Sequence, residues 1–470
     1  MADPPRRALP LLVAGAFFME NLDGTIVATA APAIGRSLGV QAAAAGIVMT
    51  AYLITLAALI PVSGWVCDRW GARPTFTTAV VVFTLASGLC AISTSFPELT
   101  AMRIVQGAAG ALLVPVGRLV VLRSTPRADL IHTIAWLTWP ALIAPVLAPV
   151  LSGFFVTYLS WHWIFLVNVP LGAVALVAAL RIVPNLERRS DVRLDWIGFV
   201  VTAAALAMLI YSADLLGAQR ARWLPIAALA VAGVLLSALG VRHLRHCATA
   251  LVDLSALRIP TFRVPHSTGG LFRTAVFAVP FLLPLMLQEG FGWTPLRAAT
   301  MVIFVFVGNL GIKPATTPIL RLLGFRLTIL TAAVGVGASM VATAVLLAST
   351  PLPVVAAVLL AGGAFRSIGF TAYSTLAFAD VPPAELTHAN TLASTLQRLA
   401  GGLGVAVGAL ALRLGVSLAG SSALTSYRIA FLLIAALALV AAVGSLRLPR
   451  LAGSALIVSP RHLTDVRSQR

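Results

Sequence analysis

Charge is scarce in this chain, and acids are scarcest. Only 10% of its 470 residues are charged, where an average soluble domain carries about 25%. Fifteen Asp and Glu stand against 33 Lys and Arg, a formal net charge of +18. A surface with so few charges does not stay dissolved, so it has to face lipid. Cysteine is nearly absent too. Cys67, Cys90 and Cys247 fit no disulfide framework and no metal-site spacing, and read as small apolar fillers. Long polar stretches are missing, which leaves no room for a soluble domain. No cleavable leader is expected either, because the run that begins at Leu9, behind Arg6 and Arg7, is long enough to stay in place as a span. No paired His and Glu for a metal, no Ser-based nucleophile motif and no phosphate loop stand out, so an enzyme is not expected and ATP is not the direct energy source. The positive charge suggests nucleic acid, but the basic residues are not interleaved with aromatics and form no recognition helix, so no nucleic acid partner is expected.

What remains is apolar: 59% of residues are hydrophobic and the mean hydropathy is +0.98. A bilayer core takes about 20 apolar residues in a helix. Runs bounded by charges, prolines and glycines give fourteen such spans, at 9–34, 45–66, 75–95, 98–122, 130–158, 163–183, 196–216, 224–241, 264–287, 296–323, 325–348, 352–372, 386–414 and 427–446. An even count puts both ends on one side. The loops of that side hold Arg69 and Arg73, Arg123 and Arg127, Arg188, Arg189 and Arg193, Arg242, Arg245 and Arg258, and Arg321 and Arg326; the ends add Arg6, Arg7, Arg447 and Arg450. Opposite loops are poor in arginine, with Arg36, Arg220 and Arg222 as exceptions. The rich side reads as cytoplasmic by the positive-inside rule. The tail after Arg447 is polar and basic.

Several local motifs stand out. After the second span comes Gly64-Trp65-Val66-Cys67-Asp68-Arg69-Trp70-Gly71-Ala72-Arg73. Here a glycine allows close helix approach, and an Asp with two Arg makes a charged latch. An echo, Arg321-Leu322-Leu323-Gly324-Phe325-Arg326, follows the tenth span. The fourth span carries Arg103-Ile104-Val105-Gln106-Gly107-Ala108-Ala109-Gly110, the first carries Leu22-Asp23-Gly24-Thr25-Ile26-Val27, and Trp161-His162-Trp163-Ile164-Phe165-Leu166-Val167-Asn168-Val169-Pro170 opens the sixth. Together these resemble the motifs of the major facilitator superfamily, and within it the fourteen-helix drug:proton antiporters of the EmrB/QacA type. The segments Ile60-Pro61-Val62-Ser63-Gly64-Trp65, Pro284-Leu285-Met286-Leu287-Gln288 and Lys313-Pro314 look most similar to the MdtD/HsrA-like branch. The resemblance runs from about Phe17 to Leu410. It implies an all-helical fold of two six-helix bundles, 1–183 and 264–446, with an extra helix pair at 194–241 and a cytoplasmic tail at 447–470. It also implies conformational latch residues Gly64, Asp68, Arg69, Gly71 and Arg73. One motif departs: the glycine-rich stretch usual in the antiporters' fifth span reads Ala144-Pro145-Val146-Leu147-Ala148-Pro149-Val150-Leu151-Ser152-Gly153. Pro145, Pro149 and Gly153 survive, and three glycines have become Ala or Ser, which weakens the case for antiport but not for transport.

Ionisable groups inside a bilayer cost about 2.5–3.5 kcal/mol each on insertion scales, so each needs an account. Asp23 lies about 21 Å into the first span at 1.5 Å per residue, at a depth similar to Arg103 on the fourth, and Glu20 sits one turn away from Asp23. Asp23, with Glu20, is expected to carry a coupling proton tuned by Arg103; a static pair joining two helices is the alternative. Arg273 and Arg398 fall near mid-membrane, too deep to snorkel, and should face a cavity. Lys313, Arg366 and Arg118 lie in the cytoplasmic half, where snorkelling to headgroups also accounts for them, and for Arg118 best. Gln106, Asn309 and Gln397 are either cavity-facing or interhelix hydrogen-bonding groups. Trp136 and Trp139 serve a substrate or an interface equally well, the Gly401-Gly402-Leu403-Gly404 stretch with Gly408 reads as a packing face, and His243 and His246 read as solvated. By family resemblance Arg273, Lys313, Arg366 and Arg398 border a central cavity, which then holds more cations than acids and favours a neutral or anionic substrate.

The expected function is secondary active efflux across the inner membrane, driven by the proton motive force without a cofactor. The expected partners are a small-molecule substrate, protons and the lipid bilayer, and the chain is expected to act as a monomer. A symporter or uniporter of an organic anion, and a non-transporting membrane sensor, are the competing readings.

Overall fold

Every regular element is a helix in the computed structural model, which describes residues 8–40, 42–126, 129–185, 193–217, 223–247, 250–420 and 422–456. Arg6, Arg7, Arg127, Arg188, Arg189, Arg220, Arg222 and the tail beyond 456 lie outside the described residues. Helices α1 (Ala8–Ser37), α2 (Ala42–Leu59), α3 (Ser63–Trp70), α4 (Ala72–Ile92), α5 (Phe96–Ser124), α6 (Leu130–Tyr158), α7 (Trp163–Leu166) and α8 (Asn168–Ile182) come first. A pair, α9 (Trp196–Gly217) and α10 (Trp223–His246), follows. Then come α11 (Pro260–Leu285), α12 (Pro295–Gly311), α13 (Lys313–Val345), α14 (Leu352–Leu376), α15 (Leu386–Ala419) and α16 (Ala423–Ser445).

Twelve helices among the described residues are long and apolar enough to cross a membrane. The fifth expected span falls on α6, of 29 residues. The tenth falls on the 17 residues of α12 and runs on into the start of α13. The arrangement therefore fits fourteen crossings. The expected eighth span is short, yet α10 runs on to His246. Only 17% of its apolar window is buried inside the protein, so the rest of that surface suits acyl chains.

Local chemistry sets the helix ends. Ser95 caps α5 by accepting a hydrogen bond from the Glu98 amide at 3.4 Å, while Glu98 accepts one from the Thr94 amide at 3.0 Å, with Pro97 in the first turn. Thr294 caps α12 in the same manner. The latch segment and its echo share a backbone device. Gly71, between α3 and α4, has φ +91° and ψ 155°; Gly324, within α13, has φ +71° and ψ 168°. Both are left-handed, extended turns that a side chain disfavours, and the second divides α13 where the tenth and eleventh expected spans meet.

Buried apolar residues gather in separate clusters. Two of them lie among α1–α8. The largest lies mostly among α11–α16 and also takes in Leu122, Leu130, Ile131 and Ile134 from the ends of α5 and α6. Helix α9 packs on α10, α2 and α15, so the extra pair borders the place where the two groups meet. The glycine stretch of α15 meets α11: a Cβ on Gly404 would stand 2.9 Å from the Thr274 carbonyl, and one on Gly408 3.2 Å from Ala278 Cβ.

Candidate functional site

Two acids one turn apart on α1 take different partners. Asp23 is fully buried and paired with the fully buried Arg103 of α5. Its carboxylate also accepts hydrogen bonds from Gln106 Nε2 and Asn168 Nδ2, both at 2.9 Å. Gln106 in turn accepts from Arg103 Nη1 and reaches Ser87 Oγ, both at 2.6 Å. Arg103 stacks 4.1 Å from the centre of the Tyr52 ring and donates to the Val48 carbonyl at 3.4 Å. The network thus ties α1, α2, α4, α5 and α8 together, all in the first half of the chain. Buried charge survives only where paired and hydrogen-bonded, and this one is both.

Glu20, also buried, reaches the other half. It pairs with Arg398 of α15 and accepts from Asn21 Nδ2 at 3.2 Å. More contacts between the halves lie nearby. Arg118 donates to Gln397 Oε1 at 3.1 Å, and Asn390 donates to the Pro115 carbonyl at 2.8 Å. Thr387 donates to Asp68 at 3.3 Å and receives a bond from Arg123, which itself stands 4.0 Å from Asp68. All of these involve the second half of α5, the first half of α15, or the latch. The halves are therefore joined by polar contacts at the latch end. Of the latch residues, Arg73 donates to the Leu180 carbonyl of α8, Arg69 is exposed, and Gly64 is buried against α15. A Cβ on Gly64 would sit 2.4 Å from Thr391 Oγ1, so a larger side chain pries α3 from α15. Gly64→Val, with Cys247 removed, should make a cysteine placed at Thr387 react several-fold faster with a maleimide; an unchanged rate would show that the latch tolerates the added bulk.

The remaining cations all lie in the second half of the chain. Arg273 is buried and donates to the Pro265 carbonyl at 3.1 Å and to Ser374 Oγ at 3.3 Å. Lys313 Nζ donates to Thr371 Oγ1 at 2.8 Å. Arg366 lies between the rings of Phe277 and Phe370, and its Nε and Nη1 find no acceptor. It borders a narrow recess of about 30 Å³, room for two or three waters, walled by Val276, Val305, Met340 and Phe431 from the second half only. Asn309 is buried with neither side-chain amide atom hydrogen-bonded, and Gln397 keeps a free Nε2. Of the expected cavity residues, Gln106 belongs to the Asp23 network, Arg398 and Gln397 bond at the junction, Arg366 borders a recess inside the second half, and Arg273 and Arg366 both approach the Phe370 ring, at 5.8 and 5.7 Å from its centre. Pro145 and Pro149 fall within α6. Gly153 is exposed, with nothing within 4 Å of a Cβ placed there, so it makes no close helix contact here.

Asn168 joins the Asp23 network although the sequence reading assigns it no role, despite a legible signal, a lone Asn within an apolar span. Ser87, Tyr52 and Thr371 carry no such signal, since hydroxyls are ordinary inside helices.

An all-helical chain with repeated apolar spans and buried ion pairs is built as a multi-pass membrane protein. The match to the Major Facilitator Superfamily covers residues 13–405, and the chain belongs to that family, a family of secondary transporters of small molecules rather than enzymes. Proteins of Citrobacter koseri and Escherichia fergusonii that carry the name multidrug resistance protein MdtD are 35% identical to it. The first aligns over 404 residues and the second over 406, or 85% and 86% of this chain and 85% of each relative. Among solved structures, the human organic anion transporter MFSD10 (TETRAN) superposes with a TM-score of 0.68 at 16% identity, covering 94% of this chain and 100% of that one. The proton:xylose symporter XylE superposes with a TM-score of 0.62 at 13% identity, covering 95% and 97%. The fold is therefore the all-helical one that the sequence motifs imply.

Proposed function

We propose that this transporter exports small drugs or metabolites across the inner membrane in exchange for protons, as a monomer with both termini in the cytoplasm. The observation that carries this reading is the Glu20–Arg398 pair between the two halves. A proton on Glu20 removes the charge that Arg398 holds, and so loosens a tie between the bundles. That gives proton binding a differential effect on two conformations, which coupling requires. Asp23, one turn along α1, is the second acid of the relay, held ready by Arg103, Gln106 and Asn168. In this reading residues 1–183 and 264–446 are the moving bundles and 194–241 is the pair beside them. In the same reading the latch faces the cytoplasm, and the polar contacts beside it hold that side shut.

The cargo is neutral or anionic. Arg273 and Arg366 are buried without a paired carboxylate among the described residues, and a cationic drug would add to that positive charge rather than offset it. The relatives' name supports drug efflux.

The test is efflux from everted vesicles under an imposed pH gradient, comparing a cationic dye with a panel of organic anions. Wild type should dissipate the gradient with anions and not with the dye. Glu20→Gln and Asp23→Asn should stop gradient-driven accumulation, with Glu20→Gln still exchanging labelled for unlabelled substrate. Full proton-coupled flux in both variants overturns the proton assignment. Flux without proton movement in the wild type overturns antiport, and dye transport unaffected by anions overturns the cargo assignment.

A further inference from the structure

The end of the central pair gathers three different ligand types. Asp195 precedes α9, and its carboxylate accepts from the Gly198 amide at 2.8 Å and the Leu251 amide at 3.4 Å. His243 Nε2, near the end of α10, stands 2.9 and 3.1 Å from its two oxygens. Cys247 follows His243 by four residues, with its amide still bonded to the His243 carbonyl at 3.0 Å, so the two side chains share a helix face. One ligand atom from each of the three lies within 4.8 Å of the others.

We infer that Asp195, His243 and Cys247 form a binding site for a divalent ion of the zinc class. Thiolate, imidazole and carboxylate together suit zinc or cobalt, and not magnesium or calcium, which prefer oxygen alone. Two bonds of about 2.0 Å at a tetrahedral angle separate their ligand atoms by roughly 3.3 Å. The His243–Asp195 spacing is already close to that. The amides of Gly198 and Leu251 fix the carboxylate, which is how outer partners orient a metal ligand. The fourth position is left for water. Binding releases the Cys247 proton, shifts the His243 proton from Nε2, where Asp195 accepts it, to Nδ1, and joins the start of α9, the end of α10 and the segment leading to α11. Because α9 also packs on α2 and α15, the ion braces the region where the halves meet.

The test is cobalt titration of the full chain in detergent, purified through a tag that contains no histidine. The expected result is a near-ultraviolet sulfur-to-cobalt charge-transfer band that saturates at one ion per chain and disappears when zinc is added. Cys247→Ser and His243→Ala should remove it. Replacing Cys67 and Cys90 with serine should leave it, since both lie elsewhere, in α3 and α4. Matching elution profiles on gel filtration show that the variants fold. No band in the wild type overturns the site, as does a band that survives Cys247→Ser.

Discussion

Arg103→Leu is expected to be the most damaging single substitution in the first half of the chain. The guanidinium is fully buried against Asp23. Removing it leaves a carboxylate inside the protein with only Gln106 and Asn168 as donors. Breaking a buried pair from one side costs about 3–5 kcal/mol, far more than the pair itself contributes. Part of the loss is packing, because Arg103 covers the Tyr52 ring at 4.1 Å. The expected result is a chain that melts well below wild type in detergent and is recovered at low yield. Asp23→Asn should be milder, since an amide keeps the shape and can still accept from Asn168. The double variant Asp23→Asn with Arg103→Gln, neutral at both positions, should regain part of the stability lost by Arg103→Leu. A wild-type melting temperature for Arg103→Leu would show that the pair is not buried as described.

The second large effect lies where α12 crosses α14. A Cβ on Gly308 would stand 1.9 Å from the Leu360 carbonyl oxygen, and one on Gly363 1.9 Å from the Val305 carbonyl oxygen. The two glycines form a reciprocal pair that brings backbone against backbone, the use to which small residues are put between membrane helices. Neither obstacle is a side chain that could swing away. Overpacking ordinarily costs about 1–3 kcal/mol, and Gly363→Val should exceed that range because the helix itself must shift. Gly363→Ala should already lower the melting temperature, although alanine favours helix over glycine by about 1 kcal/mol in an exposed helix interior. Gly15→Ala provides the contrast, since nothing lies within 4 Å of the added atom; it should be neutral or slightly stabilising. Equal tolerance at both positions would contradict the crossing.

The contrast between these glycines shows what the sequence discloses. Apolar runs and arginine spacing are one-dimensional signals, so the helices were legible, and so was the depth match that pairs Asp23 with Arg103. The Glu20–Arg398 pair was not. Its members are 378 positions apart, and nothing in either helix says how the halves rotate against each other. Gly308, Gly363 and Gly153 look alike in sequence, yet only the first two face a neighbouring backbone, because crossing points depend on packing angles. Family resemblance groups the cations at one cavity, and depth along each helix was the only positional signal beside it. Depth does not give azimuth, and Arg366 turns into its own half, toward Phe277 and Phe370. His243 reads as solvated because the Asp195 beside it comes from the segment before α9, 48 positions away.

The single-residue break at Gly324 bears on how the chain is made. No loop separates the segment ending at Leu323 from the one beginning at Phe325. As the ribosome releases this stretch, only a short turn flanked by Arg321 and Arg326 parts the tenth and eleventh spans, so the insertion machinery meets two spans with almost no loop between them. A reporter tag, epitope or protease site placed there would open a one-residue turn, and its readout would report that change along with the topology.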